Sequence, residues 1–253
     1  MPATPTGPIL LFNGHTTKIE IPSRPEYSLA PRHTLTVSAW IRPDTLEFPH
    51  AESTGYVHWM GKGESGRQEW AFRMYCLTTT DRPPRPNRTS FYVFNPAGNR
   101  GTGSYEQETD RPGEWMHLVG VADAGCTHFH KNGRFRDCDV YREARKGECV
   151  GHPNVEECDA SGDPVEPEAK DAMLRIGTRD GRSHFLGAIA RVRIWQRLLS
   201  DDEITALYAS GELPPGDDLV AEFLLNEGMG DQATDSSRLA NHGQIIGGTW
   251  GAA

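Results

Sequence analysis

No apolar stretch of this sequence approaches the roughly 20 residues that a membrane-spanning helix needs, and hydrophobic residues make up only 36% of it. Helical insertion into a bilayer is therefore not expected. A basic excess is missing too: 35 acidic against 26 basic residues leave a formal net charge of −9. Nucleic acids and anionic membrane surfaces both reward a basic face, so neither is an expected partner. The opening segment MPATPTGPILLF has no basic start and no sustained apolar run, and it predicts no signal peptide. Cysteine is scarce and odd in number, with five residues, of which Cys126, Cys138, Cys149 and Cys158 cluster. The odd total leans toward a reducing compartment and the cluster toward an oxidising one, which leaves localisation and oligomeric state unknown.

Glycine and proline, by contrast, are plentiful at 27 and 18 residues. That balance suits many short strands and turns rather than long helices. A chain of 253 residues buries roughly 70–75% of its extended surface on folding, so it needs no metal or disulfide to hold a core. Segments ILLF (9–12) and KIEI (18–21) predict two strands paired around Asn13-Gly14, a favoured hairpin dipeptide. LTVSAWIRP alternates, with Val37, Ala39 and Ile41 on one side and Thr36, Ser38 and Arg42 on the other. Further strands follow at 55–63, 69–77, 90–95, 114–123, 127–135, 173–177, 185–195, 219–225 and 244–248, with Asn132-Gly133 as a second tight turn. LSDDEITALYASG predicts the one helix. Ser200 and Glu203 form a capping box, Asp201 and Asp202 complement the dipole, Ile204, Leu207 and Tyr208 share a face, and Gly211 ends it.

FNG…KIEIP, LTVSAWIRP, WMHLVGVAD…HFHKNG, LRIGTRDGRSHFLGAIARVRIW and LSDDEITALY occur in that order. The order resembles the laminin-G-like jelly-roll domains of the concanavalin A-like lectin and glucanase superfamily, and pentraxins share a similar W…H…NG hairpin. The predicted fold class is accordingly all-β, a two-sheet antiparallel jelly-roll sandwich with one short helix in the C-terminal region. It spans 1–253 as one domain, with a Cys-rich acidic insert at about 136–171 and closing strands at about 219–250. The resemblance also implies a secreted or cell-surface setting and structural Ca2+ near a sheet edge. Among oxygen-bearing turn residues, Asp235, Asn241, Asn13 and Asp231 are the candidate ligands, since calcium takes six to eight oxygens. The same residues also suit a turn that satisfies its own backbone.

Catalytic signatures are sparse. Glycosidases need two carboxylates roughly 5–10 Å apart, and no strand carries the E-x-D-x-x-E pattern of the superfamily's glucanases. There is no G-x-S-x-G elbow. The insert holds eleven acidic and five basic residues, and long loops of this kind tend to be functional or disordered. Its cysteines lack the C-x₂₋₄-C spacing of zinc sites. A Cys138–Cys149 disulfide is the favoured alternative, and by loop entropy it contributes roughly 2–3 kcal/mol. Asn87-Arg88-Thr89 is an N-glycosylation sequon in a eukaryotic secretory context.

Sugar recognition uses aromatic platforms and planar hydrogen-bonding groups. Arg73 and Tyr75 share one face of their strand, and with Trp59, Tyr92 and His58 they are the predicted ligand-binding set. The expected function is a non-catalytic module that recognises carbohydrate, or a glycosylated or protein partner, through the concave sheet and its loops. One alternative is a polysaccharide-active enzyme, glycosidase or lyase, with an atypical site. Another is a protein–protein interaction domain that uses the acidic insert.

Overall fold

The computed structural model describes residues 2–64, 66–95, 100–123, 125–141, 159–160 and 165–253. In chain order the first strands are β1 (Pro8–Asn13), β2 (Lys18–Ile21), β3 (Leu35–Pro43), β4 (Tyr56–Lys62), β5 (Trp70–Tyr75) and β6 (Arg88–Asn95). Next come β7 (Arg100–Thr102), β8 (Tyr105–Gln107), β9 (Met116–Ala122), β10 (Cys126–Lys131), β11 (Arg134–Val140) and β12 (Asp159–Ala160). The chain finishes with β13 (Leu174–Ile176), β14 (Leu186–Trp195), helix α1 (Asp201–Ser210), β15 (Leu219–Phe223), β16 (Gln232–Ala233), β17 (Gly243–Ile246) and β18 (Thr249–Ala252).

These strands form two sheets in a jelly-roll sandwich, antiparallel except for the short β11–β12 pair. The first sheet runs β12-β11-β10-β9-β3-β14-β1-β18, with β15 added beside β14. The second runs β16-β17-β2-β13-β4-β5-β6-β7, with β8 beside β6. The chain ends meet in both layers, β18 on β1 and β17 on β2. Alternation decides what lies between the layers. Val37, Ala39 and Ile41 from β3 and Trp70, Phe72 and Met74 from β5 belong to one continuous core.

The helix forms as its caps predict. Ser200 Oγ accepts from the Glu203 amide, the Glu203 carboxylate accepts from the Ser200 amide, and Gly211 closes the last turn with φ 74°. Ile204 and Leu207 pack on Val119, Val121 and Trp195. Tyr208 stacks on Trp40 at 5.7 Å. The helix therefore covers the outer side of the first sheet.

The two Asn-Gly turns behave differently. Asn132 and Gly133, both left-handed at φ 52° and 73°, turn β10 directly into β11. Asn13-Gly14 makes no hairpin: β1 pairs with β14 and β18, while β2 pairs with β13 and β17 in the opposite sheet. Asn13 Oδ1 instead accepts from the amides of His15, Thr16 and Thr17, turning the chain across the edge of the sandwich. The strand before the insert also runs further than predicted, to Val140.

Gly120 of β9 marks a close approach of the layers. A Cβ there would lie 2.3 Å from Phe91 Cγ of the facing sheet, so Gly120→Ala must displace a core ring. The expected loss is about 1–3 kcal/mol, the range for overpacking, and urea unfolding of the variant checks it.

Candidate functional site

Helix α1 lies over the first sheet, and the outer side of the second sheet carries a cup. In β5 the residues that alternate with the core set are Ala71, Arg73 and Tyr75. In β6 they are Tyr92 and Phe94, and β4 brings Tyr56 opposite Tyr75 and His58 opposite Arg73. Of these, Tyr56, His58, Arg73, Tyr92 and Phe94, together with Glu52, Gln68, Arg179 and Arg182 from flanking loops, line a cavity of about 260 Å³, and Tyr75 lies buried beside Arg73.

Arg73 stands at its centre. Its Cζ lies 4.1 Å from the ring centre of Tyr92, 4.8 Å from Tyr75 and 4.9 Å from Tyr56. Three ring faces thus hold the cation through their quadrupoles. Burial pushes the Tyr75 phenol up, so it stays protonated. Arg85, tied to Asp81 at 3.0 Å, donates to the Tyr75 hydroxyl at 3.4 Å.

A second chain of contacts fixes Arg179. Its Nη1 donates to His58 Nε2 at 3.2 Å, and its Nη2 donates to Asp180 Oδ2 at 2.7 Å. His58 Nδ1 meets Glu52 Oε1 at 2.6 Å, and Ser183 Oγ donates to the same oxygen at 2.9 Å. A guanidinium has no acceptor, so His58 Nε2 is the unprotonated nitrogen and Nδ1 carries the proton to Glu52. Burial, with Arg179 adding to it, holds His58 at about 4 despite Glu52, so the ring is neutral near pH 7. Burial opposes ionisation of Glu52 and Asp180. The His58 and Ser183 contacts together outweigh it for Glu52, and the charge and hydrogen bond of Arg179 with the Arg182 amide together outweigh it for Asp180, so both carboxyls fall below their usual range.

Three buried atoms on this cup make no hydrogen bond among the described residues: Arg73 Nε, Arg179 Nε and Gln68 Oε1. Buried polar atoms in folded proteins are nearly always paired, and three orphans at one cavity make this cup the candidate site.

Four of the five predicted ligand residues, His58, Arg73, Tyr75 and Tyr92, come together here. Trp59 does not: it is fully buried and stacks on Phe72 at 4.6 Å, inside the sandwich. Adjacent strand residues face opposite ways, so an outward His58 sends Trp59 in. Glu52, Tyr56, Gln68, Phe94, Arg179 and Arg182 were not predicted. The two-residue step from Tyr92 to Phe94 was the available signal for one of them.

The proposed calcium turn has a different internal logic. Asp235 Oδ1 accepts from the amides of Glu222 and Ser237, both at 2.9 Å. Its Oδ2 accepts from the Asn241 amide at 2.9 Å and the Ser237 hydroxyl at 3.0 Å. With four donors on its two oxygens, Asp235 is a turn organiser rather than an open ligand. Asn241 donates its side-chain amide to the Pro22 carbonyl and the Tyr27 hydroxyl, Asn13 caps its own turn, and Asp231 is exposed. No group of three or more His, Cys, Asp or Glu with metal-holding geometry occurs among the described residues. Cys126 and Cys138 lie buried on neighbouring strands. Cys149, the other half of the predicted bridge, lies outside the described residues, as does most of the insert. Asn87 of the sequon is also buried, with its amide on the Glu108 carbonyl.

No family model and no curated protein matches this chain. Solved structures do. One is a Bacteroides ovatus protein that its name gives as carbohydrate-binding, with TM-score 0.58 and 16% identity over 98% of this chain and 60% of that one. The chain thus spans 60% of the length of that relative. Another is the native heptameric SAP-like pentraxin from Limulus polyphemus, with TM-score 0.57 and 13% identity over 98% of this chain and 96% of that one. At these identities the likeness establishes the fold alone, a two-sheet β-sandwich.

Proposed function

We propose that this protein is a carbohydrate-binding module of laminin-G-like type whose ligand sits in the Arg73 cup. The observation that carries the reading is the meeting of orphaned planar groups and aromatic faces on the uncovered sheet. Arg73, Arg179 and Gln68 offer unengaged polar atoms, and the tyrosine rings with Phe94 offer apolar faces for a sugar ring. The name of the Bacteroides ovatus relative agrees with it.

His58 supports binding over catalysis. A general base needs a free lone pair within reach of substrate, and both ring nitrogens of His58 are engaged by Glu52 and Arg179. Its task is to hold Arg179 in place. Glycan-array screening followed by calorimetry tests the reading. Tyr92→Ala removes the ring nearest Arg73 and is expected to weaken binding about tenfold, equivalent to about 1.4 kcal/mol. Unchanged affinity in both Tyr92→Ala and Tyr56→Ala would put the ligand elsewhere.

A further inference from the structure

Resting on that carbohydrate-binding reading, we infer that the cup selects an acidic saccharide, a sugar ring bearing a carboxylate or a sulfate, with Arg73 as the partner of the anion. Arg175, Arg179, Arg193 and Arg197 each pair with a carboxylate at 3.1 Å or less. Among the described residues Arg73 has no carboxylate within 4.0 Å and donates no hydrogen bond, although it is half-buried among Tyr56, Tyr75 and Tyr92. Aromatic faces steady the cation and fix its plane without engaging its N–H groups. What remains is a partly desolvated fork of donors held in plane by the rings, the geometry that carboxylate and sulfate oxygens accept in pairs.

The surrounding charges point the same way. Arg179 and Arg182 also line the cavity, and among the described residues the exposed Arg182 side chain has no ion pair or hydrogen bond. The nearby acids are already engaged, Glu52 by His58 and Ser183 and Asp180 by Arg179. The cup is thus a positive spot on a chain of net charge −9. Long polyanions meet an unfavourable overall field, whereas one acidic ring meets the local one. The volume of about 260 Å³ lies just under the roughly 300–1,000 Å³ of drug-sized pockets and suits one ring or a chain end. A neutral sugar would leave the Arg73 charge unanswered.

The test is a glycan array carrying neutral, uronate-containing and sulfated members, followed by calorimetry of the full chain at low and high salt. The expected result is binding confined to acidic members, weakened by salt and reduced about 10–100-fold by Arg73→Gln, the range for a lost charged hydrogen-bonding partner. Arg73→Lys should restore only part of it, because an ammonium lacks the planar fork. Arg182→Gln, at the exposed rim, should lower affinity a few-fold with no change in thermal stability. Uronate against sulfate hits identify the anion. Equal binding of neutral members, or unaltered binding in both Arg73→Gln and Arg182→Gln, overturns the acidic assignment and leaves the carbohydrate reading standing. Absence of binding to every member defeats both.

Discussion

Replacing Glu69 with alanine will destabilise the protein by about 3–5 kcal/mol, the largest effect expected of any single change considered, because it strands a buried lysine. Lys62 at the end of β4 is 0% exposed and Glu69, just before β5, is 1% exposed. The ammonium donates to Glu69 Oε1 and, at 2.6 Å, to the Lys170 carbonyl. The same carboxylate oxygen accepts from the Lys170 amide at 2.9 Å. One carboxylate therefore ties β4 and β5 to the segment that enters β13. Burial pushes the Glu69 carboxyl upward even against Lys62, a sign of how much desolvation the pair must offset. In a chain of this size the loss corresponds to a Tm roughly 6–20 °C lower. The double variant Lys62→Met/Glu69→Leu removes both charges and should recover most of the difference, since apolar pairs of similar volume replace buried ion pairs at little cost. A Glu69→Ala protein that melts with wild type would refute the account, and chemical denaturation gives the energies directly.

Much of the sandwich was legible because its strands obey period two and its helix carries local signals. The capping residues of α1 act within a few positions of one another, so no distant contact is needed to read them. Asn-Gly turns show where this stops. Asn132-Gly133 and Asn13-Gly14 are the same dipeptide, with glycine φ of 73° and 75°, yet only the first makes a hairpin. Strand β1 is claimed by β14 and β18, far away in sequence, and such non-local pairing overrides a local turn preference.

The site divides along the same line. Arg73 and Tyr75 are two apart on one strand, so alternation brings them to one face. In β4 the pairing shifts between His58 and Met60, and Trp59 and Met60 both enter the core. A bulge of this kind breaks the pattern that periodicity relies on. Glu52 and Arg179 come from loops, and Arg179 is 121 positions from the histidine it contacts. Nothing in local spacing foretells that meeting. Asp235 shows a related limit: an Asx-rich turn looks alike in sequence whether its oxygens face a cation or its own amides, and here four donors of the turn reach the carboxylate.

Two buried histidines should make stability fall steeply below pH 6.5, and the protein with both replaced should resist that fall. His117 of β9 packs against both Trp40 and Tyr208, with ring centres at 5.2 and 6.1 Å, with Nε2 at 2.8 Å from Ser38 Oγ and no partner for Nδ1 among the described residues. Burial, then Arg193, His130 and Arg191, hold its pKa at about 3, against an ordinary 6.5. His58 is held at about 4. Both folded values lie below the unfolded one, so the unfolded chain takes up protons first as pH falls. The stability these neutral rings contribute is complete above about pH 6.5 and is lost as pH drops through 6.5 toward 4 and 3. Between pH 7 and pH 5 each ring accounts for about 2 kcal/mol by this linkage. The raised carboxyls of Glu69, Glu106 and Asp110 act in the opposite direction, since the folded state takes up their protons first, and they mask part of the effect in wild type alone. A difference measurement cancels them. In His58→Gln/His117→Gln, a glutamine at 58 can still donate to Glu52 and accept from Arg179. Denaturant unfolding at pH 7 and pH 5 should show this variant losing about 4 kcal/mol less than wild type on acidification. Equal losses in the two proteins would mean that the rings are charged in the folded state and that His58 does not hold Arg179 as a neutral acceptor.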